Sequence, residues 1–238
     1  MTRIAALLAV LALFTGCPAS VGQSTFPADA DIALNLRNPG GPVTITGVAD
    51  GSAVVVSWTV HAGDEPADEG DADVAFSGEG DRLNVTVTPA NDGIWVDLQI
   101  TAPAGASYVV DSGAGDVTLD NVHGGGSVTT TTGFVAGQGL AGSIDVGVDD
   151  AEVALGLAID DGAAIAVLAG VGPITILLSP QADALLSADT ADGDVIIDPD
   201  VPFSGVNVDG SASGEIGAGA TATLTLQTGG GMIEIQAQ

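Results

Sequence analysis

From residue 106 to the end of the chain, short aliphatic runs return again and again, separated by glycine and aspartate, and no helix-length periodic segment interrupts them. Cores at 117–119, 128, 134–135, 144–146, 153–155, 165–167, 174–178, 184–186, 195–197, 206–208, 224–226 and 233–235 keep the strand-plus-turn spacing of an all-β sandwich, barrel or solenoid. Many share one local form, a glycine and a small or polar residue followed by an alternating triplet. Gly115-Asp116-Val117-Thr118-Leu119, Gly142-Ser143-Ile144-Asp145-Val146, Gly193-Asp194-Val195-Ile196-Ile197 and Gly231-Met232-Ile233-Glu234-Ile235 are examples. Glycine allows the positive φ of a tight corner, and aspartate can bond its own turn backbone. Each copy therefore reads as one corner and one face of a coil, and fixed self-similarity of this kind means stacked units. A brief strand cannot hold itself and is stabilised by laying its aliphatic row on the next coil.

Upstream, strands are expected at 32–36, 43–47, 54–60, 82–88 and 94–101, with Asn38-Pro39-Gly40-Gly41 as a turn and 61–73 as a solvated acidic loop. The run 94–101 places Ile94, Val96, Leu98 and Ile100 inward and Trp95, Asp97 and Gln99 outward. With only 3% aromatic residues, the core is built from Val, Ile, Leu and Ala, which suits thin stacked layers. One all-β domain is expected over 32–238, divided into longer N-terminal strands at 32–105 and glycine- and aspartate-cornered repeats at 106–238.

The amino terminus has the parts of an export signal: Arg3, an apolar run over 4–14, then Phe14-Thr15-Gly16-Cys17. The run is too short for a permanent span, which needs about 20 apolar residues. Cys17 is the only cysteine, so no disulfide framework competes for it. The segment resembles a bacterial lipobox, with Phe14 where leucine is usual. That resemblance implies a signal peptide over 1–16, removal before Cys17, and attachment of palmitate-type acyl chains to Cys17. Two or more chains hold a protein firmly to a bilayer. Residues 17–31, rich in Ala, Ser, Pro and Gly, read as a flexible tether. Pro18 rather than aspartate follows Cys17, which by analogy with enterobacterial sorting favours the outer membrane or cell surface over the inner membrane.

Lys+Arg is 3 against Asp+Glu 31, giving a formal net charge of −28. Such a chain repels phosphate backbones and anionic headgroups, which excludes nucleic acid as a partner. The acidity keeps a surface protein soluble; a saline habitat is a second reading.

Chemistry finds little purchase. The two histidines, His61 and His123, read as surface turn residues, and no Gly-x-Ser-x-Gly elbow occurs. Gly137-Gln138-Gly139-Leu140-Ala141-Gly142 matches a dinucleotide fingerprint in letters only, because a strand follows it where a helix is required. Asp192, Asp194, Asp198 and Asp200 are the candidates for a glycoside-hydrolysing carboxylate pair. Asp64, Glu65, Asp68, Glu69, Asp71 and Asp73, with Asp149-Asp150 and Asp160-Asp161, are dense enough to collect calcium weakly, yet lack the EF-hand and nonapeptide spacings. The sequon Asn84-Val85-Thr86 falls inside a strand. No catalytic, cofactor-binding or metal-ligating residue is assigned, and no cofactor is expected; Cys17 is the one expected site.

The stretch Ile100-Thr101-Ala102-Pro103-Ala104-Gly105-Ala106, then Asp111-Ser112-Gly113-Ala114-Gly115-Asp116-Val117, Thr132-Gly133 and the closing 224–235 resemble the bacterial "putative adhesin" β-strand-repeat family, whose function is unknown. The resemblance runs from about residue 32 to the end. It implies a right-handed parallel β-solenoid or β-helix-like stack, often on envelope proteins, and supplies no catalytic residues. The expected function is a non-enzymatic, lipid-anchored cell-envelope protein with a structural or adhesive role, touching the membrane through its anchor and an envelope protein or glycan through its faces. A carbohydrate-processing enzyme and a calcium-stabilised binding module are the alternatives.

Overall fold

Alternating apolar and polar residues bounded by glycine can satisfy their backbone groups only by pairing with neighbours, and the structure does this throughout. The computed structural model describes residues 20–63, 67–68 and 70–238, and every regular element among them is a strand. In chain order these are β1 (Ser20–Pro27), β2 (Ala33–Gly40), β3 (Val43–Val48), β4 (Ala53–Ala62), β5 (Ala72–Ser77), β6 (Arg82–Pro89) and β7 (Ile94–Pro103). Next come β8 (Ser107–Ala114), β9 (Val117–Asp120), β10 (Gly126–Leu140), β11 (Ile144–Leu157), β12 (Ala164–Val171) and β13 (Ile174–Leu178). β14 (Ala184–Thr190), β15 (Val195–Ile197), β16 (Phe203–Val208), β17 (Ser211–Ile216), β18 (Ala222–Thr228) and β19 (Ile233–Ala237) complete the chain.

All of them belong to one mixed sheet that turns along a line of corners into two faces. The first face runs β5-β6-β2-β8-β10-β11-β12-β18-β14-β17-β16. The second runs β1-β4-β7-β3-β9-β10-β11-β13-β19-β15. β10 and β11 cross the corner and serve both faces, while pairs such as β8 and β9 or β12 and β13 form one coil each. Between the faces lies the core. Leu34, Tyr108, Ile144, Ile165 and Leu224 stand in register on one side, and Ile45, Leu119, Leu155, Ile176 and Ile235 on the other, all buried. Where a large ring enters a row, the next coil yields space: a Cβ on Gly126 would strike the ring of Tyr108.

The corners nest on one another. A side chain on Gly133 would collide with the Gly115 carbonyl, and one on Gly231 with that of Gly172. Their φ values of 116° and 140° are also ones that L side chains rarely adopt. Just inside the bend runs a buried polar column of Asn38, Ser112 and Thr130, with Thr228 and Thr190 further along. All but Ser112, whose hydroxyl has no partner among the described residues, donate to backbone carbonyls at the turn: Asn38 Nδ2 to Val96 O at 2.8 Å, Thr130 Oγ1 to Thr132 O at 2.9 Å, Thr190 Oγ1 to Gly231 O at 2.8 Å and Thr228 Oγ1 to Gly172 O at 3.0 Å.

The arrangement departs from the sequence reading in four ways. Antiparallel strands occur at both ends, where β1 pairs β4, β4 pairs β7, β5 pairs β6, β17 pairs β14 and β16 pairs β17. These reversed strands cap the parallel stack, and β1, β5 and β16 become edge strands. Spatial order also leaves chain order: β2–β3 lies between β6–β7 and β8–β9, and β18–β19 between β12–β13 and β14–β15. The stack therefore runs across residues 105 and 106 without a break, because β2 pairs directly with β8. Finally, the tether expected over 17–31 contains β1. Ser24 and Phe26 face inward, and Gly22 lies under the Trp58 indole, a close approach that only a glycine permits.

Candidate interaction surface

Alternation that buries every second residue must present the others, so each face carries outward rows that cross the coils. On the first face one such row includes Asn84, Asn35, Val109, Ser127, Asp145 and Thr225. Asn35 Nδ2 donates to Asn84 Oδ1 at 2.9 Å, knitting adjacent coils. The next row holds Arg37 and Asp111, 3.8 Å apart and both exposed, a pair that adds little stability. Where Gly147 leaves the row without a side chain, Thr129, Thr131, Asp149, Leu168 and Gln227 rim a shallow depression of about 440 Å³.

The second face is polar in the same manner, with Ser57, Gln99, Thr44 and Thr118 in one row and Gln23 donating to Ser57 Oγ at 3.2 Å. Its outer end differs. Cross-strand partners His61 and Trp95 stack with ring centroids 5.2 Å apart and planes 7° from parallel. His61 Nε2–H donates to the Asp97 carboxylate at 2.9 Å. His61 is therefore not the surface turn residue expected from the sequence: it lies within β4, half-buried, as part of a three-residue cluster that the spacing His61…Trp95-Val96-Asp97 does not announce. The register of β4 against β7 creates it.

The remaining candidates stay apart. His123 is exposed in the turn before β10. Gly137–Gly142 leads out of β10 toward β11, a strand, so the geometry a pyrophosphate requires is not formed there. Asp192 and Asp194 stand exposed on either side of the Gly193 corner. Asp198 and Asp200 lie beyond β15, where Asp198 Oδ1 accepts the Asp200 N–H at 2.8 Å and fixes a turn. Only Asp200 of the four reaches the half-open groove of about 460 Å³ at that end, whose walls include Leu178, Val201 and Ile216.

Several of the carboxylates considered for calcium instead accept hydrogen bonds, Asp160 and Asp161 from adjacent segments and Asp71 within its own loop. Asp160 Oδ2 accepts from Gly142 N–H at 3.3 Å, Asp161 Oδ1 from the Thr221 hydroxyl at 3.3 Å, and Asp71 Oδ2 from Asp68 N–H at 2.6 Å. Asp149 and Asp150 are exposed on the β11 corner. Asp64, Glu65, Glu69 and Cys17 lie outside the described residues. Asn84 of the sequon is held in β6 by its bond with Asn35.

No protein-family model and no curated protein matches the sequence. Among solved structures, a "putative cell adhesion protein" from Clostridium sporogenes shares the fold, with a TM-score of 0.60 at 12% identity over 92% of this chain and 100% of that one. A "putative adhesin" from Bacteroides fragilis aligns at 13% identity over 91% of this chain and 97% of that one, with a TM-score of 0.32. Another from Parabacteroides distasonis gives 12% identity, the same coverages and a TM-score of 0.29.

Proposed function

We propose that the chain is a non-enzymatic protein of the bacterial cell envelope, held to the outer membrane or cell surface by acyl chains on Cys17, whose broad polar faces adhere to an envelope protein or glycan. The observation that carries this reading is the pair of outward faces. Their hydrogen-bonding side chains stand in rows that cross many coils, a wide and flat surface suited to a large partner. The fold shared with a solved protein called a "putative cell adhesion protein" supports the same role. The central coils are proposed to wind right-handed, the sense that parallel crossovers take in about 98% of cases.

Two experiments test the reading. Metabolic labelling with an alkyne palmitate should mark the wild-type chain and leave Cys17→Ala unlabelled; equal labelling of the two, or none in either, overturns the anchor. The purified body should bind an envelope fraction saturably and lose that binding when Thr129 and Gln227 are replaced by lysine without a change in melting temperature. Turnover of a glycan by the purified body, abolished in Asp192→Asn or Asp194→Asn, would overturn the non-enzymatic role.

A further inference from the structure

We infer that the outer end of the second face, around the start of β1, rests on lipid headgroups with the Trp95 indole and Val21 in the interfacial layer. This deepens the anchored reading above and rests on it. Cys17 precedes Ser20 by only three residues, and Ser20 is already paired with Val60 in the body. Three extended residues span roughly 10 Å. Acyl chains on Cys17 would therefore hold the start of β1 against the membrane, where a longer tether would let the body float free.

What lies at that place is suited to a lipid surface. β1, β4 and β7 are neighbours in sheet order, and Val21 aligns with Thr59 while His61 aligns with Trp95, so all four project from one outer surface. Strand spacing of about 4.8 Å puts Trp95 about 10 Å from β1, inside the reach of the anchor. Val21 is 64% exposed and Trp95 37% exposed, although both could have been polar on an outward row. The nearby carboxylate, Asp97, already accepts a hydrogen bond from His61, and His61 in turn stacks on Trp95. An indole with an apolar body and one polar N–H is the side chain that settles at headgroup depth. The chain's other tryptophan, Trp58, is turned inward against Phe76 and is not available for this role.

Charge sets which membrane is preferred. The formal charge of −28 opposes approach to anionic headgroups. Seating is stronger on zwitterionic than on anionic bilayers, and salt narrows the difference. With this end on the membrane, β16 lies at the far end of the first face, ten strand spacings or roughly 48 Å from β5.

The sole cysteine allows a test that does not depend on acylation in the cell. The mature chain, beginning at Cys17, is coupled through that thiol to a maleimide-headgroup lipid in phosphatidylcholine vesicles. The Trp95 signal is read as the difference between wild type and Trp95→Phe, which leaves Trp58 in place. It should shift to the blue, lose accessibility to aqueous acrylamide and be quenched by a lipid spin-labelled near the headgroup. A tryptophan placed at the far end by Val206→Trp should remain open to acrylamide in the same vesicles, and Val21→Asp should reduce the Trp95 shift without reducing coupling. A Trp95 signal identical to that of the uncoupled chain overturns the proposal, as does equal quenching of the two reporters. Failed palmitate labelling alongside a positive vesicle result would instead overturn the natural anchor and leave the surface property standing.

Discussion

The two ends of the stack are finished differently. At the β1 end, antiparallel strands close both faces, β4 and β1 on one and β5 on the other. Phe26 and Trp58 pack around Phe76 between them, with centroids 5.2 and 5.4 Å from its ring. At the other end only the first face is closed, by β17 and β16. There Phe203 alone lies across Gly205 and Gly214, and the three-residue β15 keeps an outer edge touched by one side-chain bond, Asn207 Nδ2 to Val195 O at 3.2 Å. Coils of nearly equal pattern contain no instruction to stop, so termination has to come from residues unlike those of the repeat. Here one end is stopped by a plug of rings, and the other is left partly open, with Ile196, Val206 and Val208 exposed.

A charge in the middle should erase the distinction between the ends altogether. Ile176→Asp buries a carboxylate at a fully enclosed position between β11 and β19. Unpaired burial of this kind costs more than about 4 kcal/mol, and the cooperative melting transition seen by circular dichroism should disappear.

The comparison sharpens with one ring removed from each end. Trp58→Ala should cost about 2–3 kcal/mol by urea denaturation, below the range for a fully buried ring because Trp58 is only partly buried. Phe203→Ala should cost clearly less, since Phe203, partly buried like Trp58, lies over glycine backbone rather than against other rings. Equal losses would mean that the ends are equivalent and break the contrast.

Tyr108 tests the interior against both ends. Burial without a hydrogen-bond partner raises its phenol above the ordinary value of about 10. Because the folded state holds the proton more tightly than the unfolded state, the contribution is intact below pH ~10 and is lost as pH rises above it. Tyr108→Phe should leave neutral-pH stability unchanged or slightly higher and flatten the alkaline fall measured by chemical denaturation. A steep fall that persists in the variant would assign it elsewhere.

The smallest effect belongs to β16, the outermost strand of the first face. Val206→Lys, on a side chain already 59% exposed, should move stability by less than about 0.5 kcal/mol. A larger loss would show that β16 is covered in solution.

What the sequence made legible is what repeats locally. Gly115, Gly193 and Gly231 each sit at a bend with a buried residue two positions on, as their spacing says. The same pattern gives Gly142 the same place, yet it lies at the opposite turn, before β11 enters the first face. A motif of five residues cannot distinguish the two bends of a coil. The neighbour of each coil was less legible still. Leu34 and Ile165 face the same kind of row, and nothing in either run states that Leu34 meets Tyr108 or that Ile165 meets Leu224. β1 escaped because its inward positions are Gly22, Ser24 and Phe26, only one of which is strongly apolar. The cluster of His61, Trp95 and Asp97 escaped because it exists only across a strand pairing.

The place of β18–β19 governs the order of assembly. A layer drawn from residues 222–237 separates β12–β13 from β14–β15, so those earlier segments cannot reach their final neighbours while that layer is still missing. A chain threaded through a secretion pore amino end first would emerge with a gap waiting in its middle. Completion is thereby deferred until nearly the whole polypeptide is present, so a chain exported as proposed above would stay pliable until it had crossed and set firm only afterwards.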